Sequence, residues 1–148
     1  MHQRIGMLIA AIVFPLVVDA AGPDPQAGTW KMNVAKSTFV NGGPNPKGET
    51  VVIEEIDGGL KVSSSAGFQY TAKYDEKDYP MTGSAAANGV ALRRIDANTI
   101  ETIRKKDGSV VTSNITFISM DGRTRSNVFQ GKNARGEPIT WIAVFDKE

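Results

Sequence analysis

The 148-residue chain has no cysteine and a single histidine, His2. Without cysteine no disulfide forms even in an oxidising compartment, so stability must come from apolar burial and sheet hydrogen bonds. His2 lies in an N-terminal segment expected to be removed, so the mature chain is expected to lack imidazole as well as thiol, and with them the Ser-His-Asp and Cys-His nucleophile systems. With them go the donors that zinc, copper and non-haem iron sites ordinarily require. Phosphate-cradling patterns are absent as well. Asn41-Gly42-Gly43-Pro44-Asn45-Pro46 is rich in glycine, but proline offers no N–H and neither the P-loop nor the dinucleotide fingerprint occurs, so it reads as a loop.

Charge of one sign is equally scarce. Seventeen Lys and Arg stand against sixteen Asp and Glu, a net charge of +1, which gives no reason to expect nucleic acid or an anionic membrane as partner. Residues 91–148 are mildly basic, with ten cationic and seven anionic side chains, consistent with solvated strand faces. The one dense acidic cluster, Asp75-Glu76-Lys77-Asp78, lacks the spacing and glycine of an EF-hand loop and reads as an exposed turn. Paired carboxylates can hydrolyse glycosides, yet nothing sets two of Glu54, Glu55 and Glu101 facing each other across a cleft. The expectation is a protein without catalytic residues, metal or cofactor.

What the chain does have begins with a leader. A short basic start ending at Arg4, an apolar run from Ile5 to Val18 and small residues near Ala20 read as a signal peptide over residues 1–20. Pro15 interrupts the run, which is shorter than the roughly twenty apolar residues a membrane span needs. The mature protein is therefore expected to be exported, periplasmic or secreted, with no integral membrane segment. Residues 21–27 read as a flexible lead-in and 28–148 as one domain, a length suited to a single core.

From Gly28 onward, short alternating runs are separated by compact turns, and no convincing helical period is present. Asp57-Gly58, Asp107-Gly108 and Asp121-Gly122 each suit the positive-φ positions of a two-residue hairpin. Such turns fix register. The first sets Glu54 opposite Lys61 and Ile53 opposite Val62. The second sets Arg104 opposite Val111, Thr102 opposite Ser113 and Ile100 opposite Ile115. The third sets Ile115 opposite Val128 and Phe117 opposite Ser126. A three-residue loop at Asp96-Ala97-Asn98 sets Arg93 opposite Glu101 as an outward ion pair and leaves Arg94 on the inner face. Asn114-Ile115-Thr116 matches a glycosylation sequon.

These registers imply an all-β antiparallel meander of about eight to ten strands, an alternation that a barrel and a flattened sandwich share. They also give an inner face of mixed polarity: Thr102, Ser113, Ser126, Arg94 and Arg104 among Val, Ile and Phe. A cavity with polar contacts would explain that mixture, as would arginines whose stems line the wall while their heads reach water. Tyr70, a hydroxyl on a largely apolar face, is the aromatic best suited to a ligand site. Trp141, with Ile139 and Phe145 on its parity, is placed to close the sheet against the strand of Trp30.

Gly28-Thr29-Trp30-Lys31, followed by alternating Met32 and Val34, resembles the G-x-W opening strand of lipocalin-type barrels. The longer pattern resembles a group of small exported bacterial lipocalin-like proteins of unassigned function. Its stretches here are Ser37 with Phe39, Ala72-Lys73-Tyr74-Asp75 through Asp78-Tyr79-Pro80 and Gly83, Arg94-Ile95-Asp96 with Asn98-Thr99-Ile100-Glu101, and Lys105-Lys106-Asp107-Gly108. The resemblance implies a calycin-type barrel in which Gly28 and Trp30 close one end. Two departures from fatty-acid-binding proteins stand out. Ala35 to Lys47 is too short and broken for a full helical lid, and the last strand, Ile139 to Phe145, lacks an Arg-x-Tyr carboxylate clamp. The expected work is binding of a small apolar or amphipathic molecule, with Arg94, Arg104, Tyr70, Thr102 and Ser113 as ligand contacts. The competing expectation is a protein-interaction module whose barrel is filled by its own side chains.

Overall fold

In the computed structural model the described residues are 22–40, 48–132 and 135–148. The expected leader and the glycine-rich segment 41–47 lie outside them. Eleven strands follow in chain order: β1 Gly28–Met32, β2 Thr38–Val40, β3 Thr50–Ile56, β4 Gly59–Ser64, β5 Gln69–Lys73, β6 Tyr79–Thr82, β7 Gly89–Asp96, β8 Thr99–Lys106, β9 Ser109–Ile118, β10 Thr124–Lys132 and β11 Pro138–Lys147. From β3 to β11 each pairs antiparallel with the next. Strand β1 pairs with both β3 and β11, so ten strands close into a barrel and the sheet is no sandwich. Strand β2 continues along β11 beyond the end of β1, with Phe39 opposite Trp141.

Between β1 and β2 the chain leaves the sheet in a single 3-10 turn, Val34–Lys36. Side chains bridge the break. The Ser37 hydroxyl accepts the Val144 N–H at 3.0 Å and donates to Asn33 O at 2.8 Å, so β11 keeps a partner where the strand is interrupted.

The hairpin registers follow the turns with one exception. Glu54 faces Lys61, joined at 2.8 Å, and Ile53 faces Val62. Arg93 faces Glu101, joined at 2.8 Å, although the connection is a two-residue turn, Ala97-Asn98, with a bulge between Arg94 and Asp96, rather than the expected three-residue loop. Ile115 faces Val128 and Phe117 faces Ser126. Between β8 and β9 a bulge at Arg104/Lys105 shifts the pairing by one residue. Thr102 therefore faces Asn114 rather than Ser113, Arg104 faces Thr112 rather than Val111, and Ile100 faces Thr116 rather than Ile115. Asp107 and Gly108 both have positive φ, 49° and 83°, as the type I′ turn requires. The extra residue lies just inside that turn, where bulges commonly absorb excess twist.

The apolar core occupies one end of the barrel, around the fully buried Trp30, Leu60, Val90, Leu92, Ile100 and Phe145. Of the segment 21–27, expected to be flexible, the described residues 22–27 are instead tied to this end by Asp24 and Gln26. Asp24 and Gln26 are buried. Asp24 N donates to Glu55 Oε2 at 3.0 Å, Gln26 Nε2 to Asn98 O at 3.3 Å, and Trp30 Nε1 to Gln26 O at 2.9 Å. Gly28, at φ 139°, passes beneath the stem of Lys147, where a Cβ would lie 2.6 Å from Cε. The Lys147 ammonium stands 5.1 Å from the centre of the Trp30 ring. Gly28 and Trp30 thus lie at this end, Trp30 fully buried in the core and Gly28 packed under Lys147.

Candidate functional site

The inner wall at the opposite end is built by cross-strand rows, because the pleat turns alternate residues inward and pairing sets them side by side. One row runs Thr102, Asn114, Phe129, Trp141 and Phe39 across β8, β9, β10, β11 and β2. A second runs Ile100, Thr116, Asn127 and Ala143, and a third Ile118, Arg125, Phe145 and Met32. Apart from Ile100, Thr116 and Ile118, the side chains of these rows, with Val51, Val62 and Tyr70 from β3–β5 and Phe68 just before β5, line a cavity of about 430 Å³, within the range of small-molecule sites. Exposed Gly48 and Ala66 stand at its rim. Phe129 and Trp141 stack on its wall with centroids 4.7 Å apart.

Two guanidiniums face this largely apolar space. Arg125 is 7% exposed and lies beside the closed end, with Cζ 5.5 Å from the Phe145 ring centre. Arg104 comes from the open-end side, half-buried between Phe68 at 4.8 Å and Phe129 at 5.6 Å. Among the described residues neither is in an ion pair, and each has a buried Nε without an acceptor. Burial brings the Arg125 pKa down to about 10, so it stays cationic at neutral pH. Glu49 is the one carboxylate among the described lining residues, and its Oε1 accepts from Ser64 Oγ at 2.5 Å. Burial raises the Tyr70 pKa, which the charges of Arg104 and Arg125 oppose, so the phenol remains neutral and cannot balance them.

The polar row beside these arginines is internally bonded but incomplete. Asn114 Nδ2 donates to Thr116 Oγ1 at 3.1 Å, and Thr116 Oγ1 donates to Asn127 Oδ1 at 2.8 Å. Asn114 Oδ1 is buried without a partner. A sequon at this position is closed to glycosylation in the folded protein, since Asn114 points into the barrel.

Of the five expected ligand contacts, the structure brings Arg104, Tyr70 and Thr102 together on the cavity wall. Ser113 is a correction: the β8–β9 bulge turns it outward, beside Ile103 and Gln130. Arg94 is another. It keeps the inward parity but sits at the closed end, ion-paired with Asp24, its Cζ 4.2 Å from the Tyr74 ring centre and its Nη1 donating to Ala97 O at 3.1 Å. Ser126, expected inside, also faces out, opposite Phe117 and Val144. Their places are taken by Asn114, Thr116, Asn127 and Arg125, which sequence reasoning missed by assigning the more apolar face of β9 and β10 to the interior. The signal available was Arg125 itself, on the parity of Asn127 and Phe129.

The cavity offers cationic and amide donors around an apolar space. Glu54 and Glu101 lie outside the barrel in ion pairs with Lys61 and Arg93, and Glu55 caps the closed-end strap. No second carboxylate faces Glu49 among the described lining residues. Comparison with family models, curated proteins and solved structures returned no match.

Proposed function

We propose that the protein binds a small amphipathic molecule in its barrel without catalysing a reaction, and that it acts as an exported member of the lipocalin-like group its sequence resembles. The observation that supports this best is the enclosed cavity of about 430 Å³. At the packing density of a protein interior, such a space accepts roughly fifteen non-hydrogen atoms. Its walls pair aromatic and aliphatic surface with a few convergent polar groups, the usual composition of a ligand site.

The two tryptophans provide the test. Trp141 lines the cavity, whereas Trp30 is sealed into the closed end. Titration of the delipidated protein with an apolar naphthalene probe should give saturable one-to-one quenching that Trp141→Phe removes and Trp30→Phe retains. Quenching that never saturates would sink the proposal. One observation favours a second reading as a protein-interaction module: Phe117 and Ile142 are 44% and 40% exposed on the outer wall of β9–β11. A partner docking there would be lost in Phe117→Lys with the cavity intact.

A further inference from the structure

We infer that the ligand of this cavity is an anion, an amphiphile whose acidic head group is held by Arg104 and Arg125 while its apolar body packs against Phe39, Phe68, Phe129 and Trp141. The inference rests on the binding role proposed above and adds the ligand's charge and the side chains that read it.

Isolated buried cations are rare, because removal from water disfavours the charged form unless a counter-charge compensates. Arginine is the least able of the basic side chains to escape by losing its proton. Here two guanidiniums face one space, and their contacts are aromatic ring faces, which attract a cation weakly but neutralise no charge. Each has a buried Nε without an acceptor. Glu49, the one carboxylate among the described lining residues, accepts from Ser64 and offsets part of the charge of Arg125, and Tyr70 is held neutral. The described wall therefore carries two positive charges against one negative.

Other wall groups suit an anion as well. Thr102 and Tyr70 bring hydroxyls to the same cavity, and a hydroxyl can donate to an acceptor-only head group. A neutral ligand would leave the excess positive charge of the wall uncompensated. A cationic ligand would add a third like charge to a low-dielectric space, where repulsion is strong. A carboxylate or sulfonate completes the arginine hydrogen bonding with short, charge-assisted contacts. The aromatic contacts hold the guanidinium planes in place beforehand, which lowers the ordering cost of binding.

The test uses two probes with one apolar body: anilinonaphthalene sulfonate and uncharged N-phenylnaphthylamine. The full mature protein is titrated with each by fluorescence, with decanoate and decanol as competitors. The sulfonate should bind the more tightly despite its greater solubility in water, and decanoate should displace it where decanol does not. Arg125→Met and Arg104→Met should each weaken the sulfonate by about 30-fold or more, the usual consequence of deleting one partner of a buried charge pair, and affect the neutral probe far less. The competitor comparison is made on the unaltered protein, so it decides the matter even where a variant folds poorly. Equal binding of both probes, or equal displacement by decanol, overturns the charge assignment and leaves the binding role standing. Saturable binding of neither probe overturns both.

Discussion

Asp24 and Arg94, seventy residues apart in sequence, form an ion pair across the closed end of the barrel. The Asp24 carboxylate also accepts from the Tyr74 hydroxyl at 2.7 Å and the Gln26 N–H at 2.9 Å. Its own charge and hydrogen bonding, together with burial, raise the Tyr74 pKa, burial acting most strongly. This one carboxylate joins the lead-in segment to β7 and to the end of β5. Arg94→Ala would leave it buried without its cation and is expected to destabilise the fold by about 2–4 kcal/mol. Affinity for a cavity ligand should not change, since Arg94 lies outside the cavity wall. Urea denaturation and probe titration of the same variant separate the two effects.

Arg125 should behave in the opposite way. Its charge is buried and unpaired among the described residues, so replacing it with an apolar side chain of similar length removes a desolvation cost. Arg125→Met is expected to raise stability by about 1–3 kcal/mol, seen as a higher urea midpoint with an unchanged slope. A lower midpoint would mean that the guanidinium is satisfied in the free protein.

At the open end, two glycines hold the β4–β5 turn against the β6–β7 loop. A Cβ on Gly83 would lie 1.9 Å from the carbonyl oxygen of Gly67, and Gly83 itself has φ +74°. Both the clash and the left-handed backbone oppose a side chain there. Gly83→Ala should therefore cost about 2–4 kcal/mol. Gly58→Ala, with open space around its Cβ, tests the backbone term alone.

Three turn aspartates give the fold an acid dependence. The carboxyls of Asp75, Asp96 and Asp121 are held below their ordinary value of 3.8, chiefly by hydrogen bonds from Tyr79, Thr99 and Ser119 respectively. As pH falls the unfolded chain takes up these protons first. The stability they add is fully present above the ordinary value and is lost as pH drops through the depressed folded values. The urea midpoint measured down to about pH 2 should fall in that window, and less steeply in the triple Asp→Asn variant. All three are exposed, so the effect is expected to be small.

Much of this architecture was legible in the sequence. The Asp-Gly turns gave the meander and the facing of Glu54 and Lys61, because two-residue turns leave little choice of register, and the Asp96-Ala97-Asn98 connection gave the outward pair Arg93–Glu101. Barrel closure was hinted at by Trp141 and Phe145 on one parity, and the pairing of β1 with β11 makes it real. The cavity was read only in part. Tyr70, Thr102 and Arg104 were found because β5 and β8 keep their expected phase, but β9 and β10 were turned inside out. Alternation alone places the greasier face inward, whereas here Ile115, Phe117 and Val128 lie outside and Asn114, Asn127 and Arg125 inside. The anchoring of Asp24 was invisible for another reason: a long-range ion pair leaves no local pattern.

The single extra residue in β9 has a reach well beyond its own turn. Were the same sequence paired without the bulge, the hairpin would run in its simplest frame and present Ser113, Ile115 and Phe117 to the interior. Ser113 would then stand opposite Thr102 in place of Asn114, and Ile115 opposite Ile100 in place of Thr116. One unpaired residue thus works like a frameshift written in space rather than in codons: it decides which side chains of β9 the cavity meets.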